Sequence, residues 1–76
     1  MNDSQGALAD YNQAIALNPI LSEAYNDRGV LKQEKLKDRA GAIEDLRQAA
    51  KLFRARGQTQ YLQTTLSKLR QLGATE

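Results

Sequence analysis

The stretch DSQGALADYNQAIAL (residues 3–17) returns with changes as DRAGAIEDLRQAAKL (residues 38–52), 35 residues further along the chain. The positions that are identical in both copies are Asp3/Asp38, Gly6/Gly41, Ala7/Ala42, Asp10/Asp45, Gln13/Gln48, Ala14/Ala49 and Leu17/Leu52. A period of this length predicts a repeat array, in which each unit is a supersecondary element that buries its apolar face against its neighbours.

Apolar residues recur at steps of three and four and predict an all-α fold of four helices, at about 4–17, 21–36, 39–56 and 58–72. The signals at the helix ends are Asp3 or Ser4 and Asp38 as N-caps, and Asn18-Pro19, Gly57 and Gly73 as stops. Because every connection is short, successive helices should form antiparallel hairpins. Residues 74–76 are expected to fray.

Gly29 lies in the middle of the second predicted helix, where glycine is unfavourable by about 1 kcal/mol relative to alanine. We therefore predict that another helix passes too close to admit a side chain. The four aromatic residues are interpreted as packing between helices: Tyr11, Tyr25, Phe53 and Tyr61.

The chain contains no cysteine and no histidine, which removes the common zinc sites and most nucleophile and base arrangements. Carboxylates, lysines and hydroxyls are present without a grouping motif, so we predict no enzyme, no catalytic residue, no metal and no cofactor. No run approaches the roughly 18 apolar residues of a membrane span, and no signal peptide is recognised. The expectation is a cytoplasmic protein without a membrane span.

Charge is distributed unevenly along the chain. Residues 1–27 carry four acidic and no basic side chains, whereas residues 28–76 carry eleven basic and five acidic side chains, a net charge of +6. This asymmetry allows head-to-tail contacts between copies.

The residues resemble the tetratricopeptide repeat, a helix-turn-helix unit of 34 residues. Ala7, Tyr11, Ala14 and Pro19 match the second half of one unit, Tyr25 and Gly29 match the first half of the next, and Ala42, Leu46 and Ala49 match its second half. The chain departs from the pattern at Arg28, where the family has leucine, at Lys32, where it has tyrosine, and at Arg54, where the closing proline would stand.

The resemblance implies one tetratricopeptide-like domain over residues 1–76, arranged as part of a superhelical array. Residues 3–20 would be the second half of one repeat, residues 21–56 a full repeat with a one-residue insertion near Leu36–Arg39, and residues 57–73 a C-terminal capping helix. Because the first unit lacks its first helix, the chain is either a piece of a longer array or is covered by another copy. We favour self-association as a homodimer, with domain swapping as one route, through Leu8, Tyr11 and Ile15.

The resemblance further implies a protein–protein interaction module, for scaffolding or assembly, that binds a peptide or partner helix of unknown identity. Its groove would be lined by the second helix, at Glu23, Asn26, Val30, Gln33 and Glu34. Glu23 and Val30 do not support a carboxylate clamp there. Solvated residues on an outer helix face are an equally good interpretation of this set.

A basic stripe on the third helix indicates an alternative function, the binding of nucleic acid or another anion. Arg47, Lys51 and Arg54 are four and three residues apart, with Arg56 at the end. Such a stripe can bind nucleic acid or another anion. No aromatic side chain is interleaved to stack on bases, so a solvated face is favoured and a nucleic-acid partner is not expected. Hydroxyls of the fourth helix, such as Thr64 and Thr65, receive no role.

Overall fold

The computed structural model describes residues 3–74, and within that range the chain forms four α-helices and no strand. Helix α1 spans Ser4–Leu17, α2 Ser22–Glu34, α3 Arg39–Ala55 and α4 Thr59–Gln71. The predicted all-α fold is confirmed, and every helix end lies within two residues of its predicted position. Of the residues expected to fray, 75 and 76 lie outside the described range.

The two copies of the repeated stretch begin in the same way. The Asp3 carboxylate accepts a hydrogen bond from the Gly6 amide at 2.8 Å, and the Asp38 carboxylate accepts one from the Gly41 amide at 3.0 Å. The backbone angles of the two caps also agree, with φ −106° and ψ 71° at Asp3 and φ −102° and ψ 82° at Asp38. The 35-residue period is therefore a period of the structure as well as of the sequence.

The predicted stops are found at the helix ends. Asn18, which precedes Pro19, has extended backbone angles and ends α1. Gly57 and Gly73 follow α3 and α4 with φ of +70° and +78°, as the left-handed cap requires. In the turn after α2, Lys37 takes a φ of +55°, which is unusual for a residue with a side chain.

Helix α3 lies at the centre of the core, between α2 and α4. Its buried apolar residues form two clusters with α4, one of Ala42, Leu46, Leu69 and Leu72 and one of Ala49, Ala50, Phe53 and Leu62. At one end of the pair, Arg39 Nε donates to the Leu72 carbonyl oxygen at 2.9 Å, and at the other, Phe53 stacks on Tyr61. The start of α3 thus meets the end of α4, and the hairpin is antiparallel.

Gly29 marks the closest approach of α2 to α3. A Cβ at this position would lie 3.0 Å from Leu46 Cγ and 3.2 Å from the Ala42 carbonyl oxygen. The prediction that another helix passes too close to admit a side chain is confirmed.

Helix α1 is the least covered of the four. The apolar residues that recur along α1 at steps of three and four are only half-buried: Ala7, Leu8, Tyr11, Ala14 and Ile15. No residue of α1 is buried. Next to its end, the side chains of Leu17 and Ile20 are 78% and 55% exposed.

Candidate functional site

A concave groove runs between α2 and α4. Its larger pocket has a volume of about 430 Å³ and is lined by Asn26 of α2, Phe53 of α3, and Gln60, Tyr61, Thr64, Thr65 and Lys68 of α4. Of these lining residues, Lys68 is the only charged one. The pocket therefore offers hydroxyls, amides, aromatic rings and a single ammonium group.

A second pocket of about 310 Å³ continues the groove toward α1. It is lined by Tyr11 of α1, by Asn26, Asp27, Val30, Leu31 and Glu34 of α2, by Lys35, and by Lys68. Because Asn26 and Lys68 line both pockets, the two are neighbouring parts of one surface. All four helices thus contribute to the groove, and its second pocket is of mixed charge.

Asn26 and Thr65 tie the two walls of the groove together. Thr65 Oγ1 donates a hydrogen bond to Asn26 Oδ1 at 3.1 Å, and Thr65 is almost completely buried. The bond uses the side-chain oxygen of Asn26, so the side-chain NH₂ of this groove-lining residue remains a potential donor. At the far end, the rings of Phe53 and Tyr61 stack with centroids 5.3 Å apart, and Tyr61 remains 53% exposed.

The residues predicted for the groove divide into two sets. Asn26, Val30 and Glu34 line the groove. Glu23 is exposed and Gln33 half-buried on α2, and neither lines the two pockets. The role of all five residues in binding stays a prediction.

The residues of the groove that the sequence analysis missed lie on α4. Gln60, Thr64 and Lys68 follow one another at steps of four, so they share one face of the helix. That face is polar, and the buried Leu62 and Leu69 lie on the other side of the helix. The polar spacing was the signal, but it identifies a groove only once α4 is known to lie beside α2.

The basic stripe lies on the outer side of α3. Arg47, Lys51, Arg54 and Arg56 are all exposed. Arg56 Nη2 donates to the Ile20 carbonyl oxygen at 2.8 Å, which ties the end of α3 to the turn between α1 and α2. At least one member of the stripe therefore has a structural contact within the chain.

An ionic network connects α1, α2 and α3 behind the groove. Arg28 Nη1 donates to Asn12 Oδ1 at 2.8 Å, while its Nε and Nη2 donate to the two carboxylate oxygens of Asp45. Lys32 Nζ lies 3.1 Å from Asp45 Oδ2. The hydrogen bond to Asp45 raises the pKa of Arg28 above its ordinary value, and the negative charge of Asp45 adds to this, while burial works against it.

The contacts of Arg28 explain why this position, which is leucine in the repeat pattern, can hold an arginine. Its guanidinium carbon lies over the Tyr25 ring, 5.6 Å from the centroid, while its nitrogens donate hydrogen bonds to Asn12 and Asp45. The arrangement is structural and presents no reactive group.

Between residues 3 and 74, no group of three or more metal-ligating side chains comes together. Within the same range, no helix has the length and apolar character needed to cross a membrane.

Part of a tetratricopeptide repeat protein is similar in sequence to this chain. Over 57 residues, 75% of this chain, the sequence is 40% identical to tetratricopeptide repeat protein 36 of Danio rerio. The matched part is 30% of that protein's length, so the chain spans less than a third of it. No family model and no solved structure matches the chain. The chain is thus an all-α array of helical hairpins that is similar, over most of its length, to part of a tetratricopeptide repeat protein.

Proposed function

We propose that this chain is a tetratricopeptide-like protein–protein interaction module, for scaffolding or assembly, that holds a peptide or a partner helix in the groove between α2 and α4. The observation that carries the proposal is the continuity of the two pockets through Asn26 and Lys68. A groove lined by amides, hydroxyls and the exposed ring of Tyr61 suits the backbone and side chains of a peptide. The similarity to a tetratricopeptide repeat protein gives the proposal further support. No catalytic role is assigned.

The proposed domain arrangement follows the helices. Residues 3–20, with α1, form the second half of one repeat, and residues 21–56, with α2 and α3, form a full repeat. Residues 57–73, with α4, form the capping helix. In this arrangement the groove lies between the first helix of the full repeat and the cap.

Self-association through Leu8, Tyr11 and Ile15 stays part of the proposal. The supporting observation is that no residue of α1 is buried and that its last residue, Leu17, is exposed. Light scattering over a concentration series should give a mass above that of one chain. A mass that equals one chain at all concentrations would remove this part of the proposal and leave the groove untouched.

The experiment that tests the groove uses two lysines of the same chain. Peptides selected from a random library against the intact chain should lose at least about tenfold in affinity on Lys68→Glu, because a repulsive or unpaired charge in a contact site costs on the order of 1–3 kcal/mol. Lys51→Glu, on the outer side of α3, is the matched control and should leave their affinity unchanged.

Two results would contradict the proposal. One is a selection that enriches no peptide. The other is binding that depends on Lys51 rather than Lys68 and weakens steeply with salt, which is the behaviour expected of anion binding by the basic stripe.

A further inference from the structure

The larger pocket between α2 and α4 is rich in hydrogen-bond donors. The hydroxyl hydrogens of its two threonines are used within the chain, because Thr65 donates to Asn26 Oδ1 at 3.1 Å and Thr64 to the Gln60 carbonyl oxygen at 3.2 Å. Four other lining side chains have donor hydrogens that no residue among 3–74 accepts: Asn26, Gln60, Tyr61 and Lys68. No carboxylate lines this pocket. A ligand that suits the pocket therefore brings acceptors rather than donors.

A flat aromatic surface lies in the same pocket. The Tyr61 ring stacks on the Phe53 ring with an angle of 14° between the two planes. Phe53 is 1% exposed and belongs to a core cluster with Leu62, so its ring is fixed by packing. Because Phe53 supports the half-exposed Tyr61, the tyrosine ring needs little ordering when a ligand contacts it.

The conformation of a bound peptide decides how many acceptors it can offer. In an α-helix the backbone carbonyl groups are bonded within the helix, and in an extended strand each residue other than proline brings an N–H group along with its carbonyl group. A run of prolines in the polyproline II conformation has no N–H group, and all of its carbonyl groups are available. Its rings also pack well against aromatic side chains in a groove. Of these three ligands, the proline-rich segment suits both the donors and the aromatic surface.

On the basis of the function proposed above, we propose that the larger pocket binds a proline-rich segment of a partner protein in the polyproline II conformation. A proline ring of the segment lies on the Tyr61 ring, and backbone carbonyl groups accept hydrogen bonds from the side chains of Asn26 and Gln60. Lys68, which is half-buried and forms no ion pair among residues 3–74, supplies a further donor. Because the polyproline II helix is formed before binding, little conformational entropy is lost.

The test uses a capped peptide of about nine prolines, which is about three turns of polyproline II helix, titrated into the ¹⁵N-labelled intact chain. Amide signals of Asn26 and Tyr61 should shift. The affinity should change little with salt, because the peptide is uncharged. A glycine–serine peptide of the same length should bind at least about tenfold more weakly, because it carries N–H groups throughout, lacks the rings and is flexible.

Two variants of the chain separate the donor from the aromatic surface. Asn26→Asp keeps an oxygen for the Thr65 hydroxyl but removes the NH₂ donor, so it should weaken binding of the proline peptide about tenfold. Gln13→Glu is the matched control, since it makes the same change of amide to carboxylate at an exposed residue of α1 outside both pockets. It should leave the affinity unchanged. Tyr61→Leu keeps an apolar contact with Phe53 but removes the flat ring, and it should also weaken binding.

The results that would overturn this proposal differ from those that would overturn the proposed function. If peptides selected from the random library bind the groove and the proline peptide does not, the function stands and the preference for proline is wrong. Equal affinities of the proline and glycine–serine peptides, or of Asn26→Asp and the unmodified chain for the proline peptide, have the same meaning. If neither the library nor the proline peptide gives binding, both proposals are wrong.

Discussion

Arg28 of α2 holds Asp45 of α3 with two parallel hydrogen bonds, Nε to Oδ2 at 2.8 Å and Nη2 to Oδ1 at 2.7 Å. Asp45 is only 4% exposed. Lys32 binds the same carboxylate, so the two departures from the repeat pattern on α2 share one partner on α3. These departures are therefore a matched set, in which a buried acid replaces apolar packing between the helices.

Asp45→Asn should lower the free energy of unfolding by about 2–3 kcal/mol, because removing one partner of a largely buried pair leaves the other charge uncompensated. Asp10→Asn is the matched control. It changes the equivalent residue on α1, which is exposed, and should stay within about 0.5 kcal/mol of the unmodified chain. Urea unfolding measures the free energy of unfolding of both variants. Equal losses of stability would contradict the stabilising role given to the buried Asp45.

Stability should vary little between about pH 6 and pH 9. The pKa of Arg28 is raised by its hydrogen bond to Asp45, so this group stabilises the fold fully at every pH below its ordinary pKa. Its contribution is lost only as the pH rises through the raised value, in strongly alkaline solution. The chain has no histidine or cysteine to titrate near neutrality. A thermal midpoint that moves by more than a few degrees across this window would contradict the prediction.

Gly29→Ala should destabilise the fold by about 1–2 kcal/mol, although alanine favours helix by about 1 kcal/mol. The added methyl would meet Leu46, which is completely buried, and a backbone carbonyl that has little freedom to move. The series from glycine through alanine to valine should show a steady fall in the urea midpoint. A rise on Gly29→Ala would mean that α2 can shift away from α3.

Lys37→Gly should stabilise the fold by up to about 1 kcal/mol, because the left-handed backbone at Lys37 is costly for a residue with a Cβ. Lys35→Gly is the control, two residues earlier in the same turn, where the backbone is right-handed with φ −107°. That change should be neutral or destabilising. The two thermal midpoints are compared directly, and shifts of the same sign would count against the strain at Lys37.

Removal of two buried hydroxyl groups should change the stability of the fold in opposite directions. Ser22 Oγ is buried without a hydrogen-bond partner among the described residues, so Ser22→Ala should stabilise by roughly 0.5–1 kcal/mol. Thr65→Val removes the bond to Asn26 and should cost about 1 kcal/mol. Both residues are 1% exposed, so a difference in burial does not account for a difference between the two changes in stability. Loss of stability in both variants would indicate that Ser22 has a partner.

The elements of the fold could be predicted because their signals are local. Asp3 and Asp38 cap the helices that follow them, and Asn18-Pro19 ends α1. The position of Gly29 in the middle of α2 predicted the close approach of another helix. Each signal operates over a few residues. The incomplete burial of α1 was expected from the resemblance, in which the first unit lacks its first helix.

The candidate site was only half predictable, since it is made by residues distant in sequence. Asn26 and Thr65 are 39 residues apart, and no local sequence signal predicts the hydrogen bond between them. The same holds for Arg28 and Asp45, 17 residues apart. Groove residues on α2 were predicted from the resemblance to the repeat family. Those on α4 could be identified only from the structure, which shows that α4 lies beside α2.

The agreement of the caps at Asp3 and Asp38 bears on how such a chain can change in length. Because both helices start from the same backbone geometry, a 35-residue segment duplicated between these two aspartates would enter and leave the fold in one conformation. Each duplication would add one hairpin without disturbing the turns on either side. The spacing of the two aspartates thus sets the step by which the protein can be lengthened or shortened, in evolution or by design.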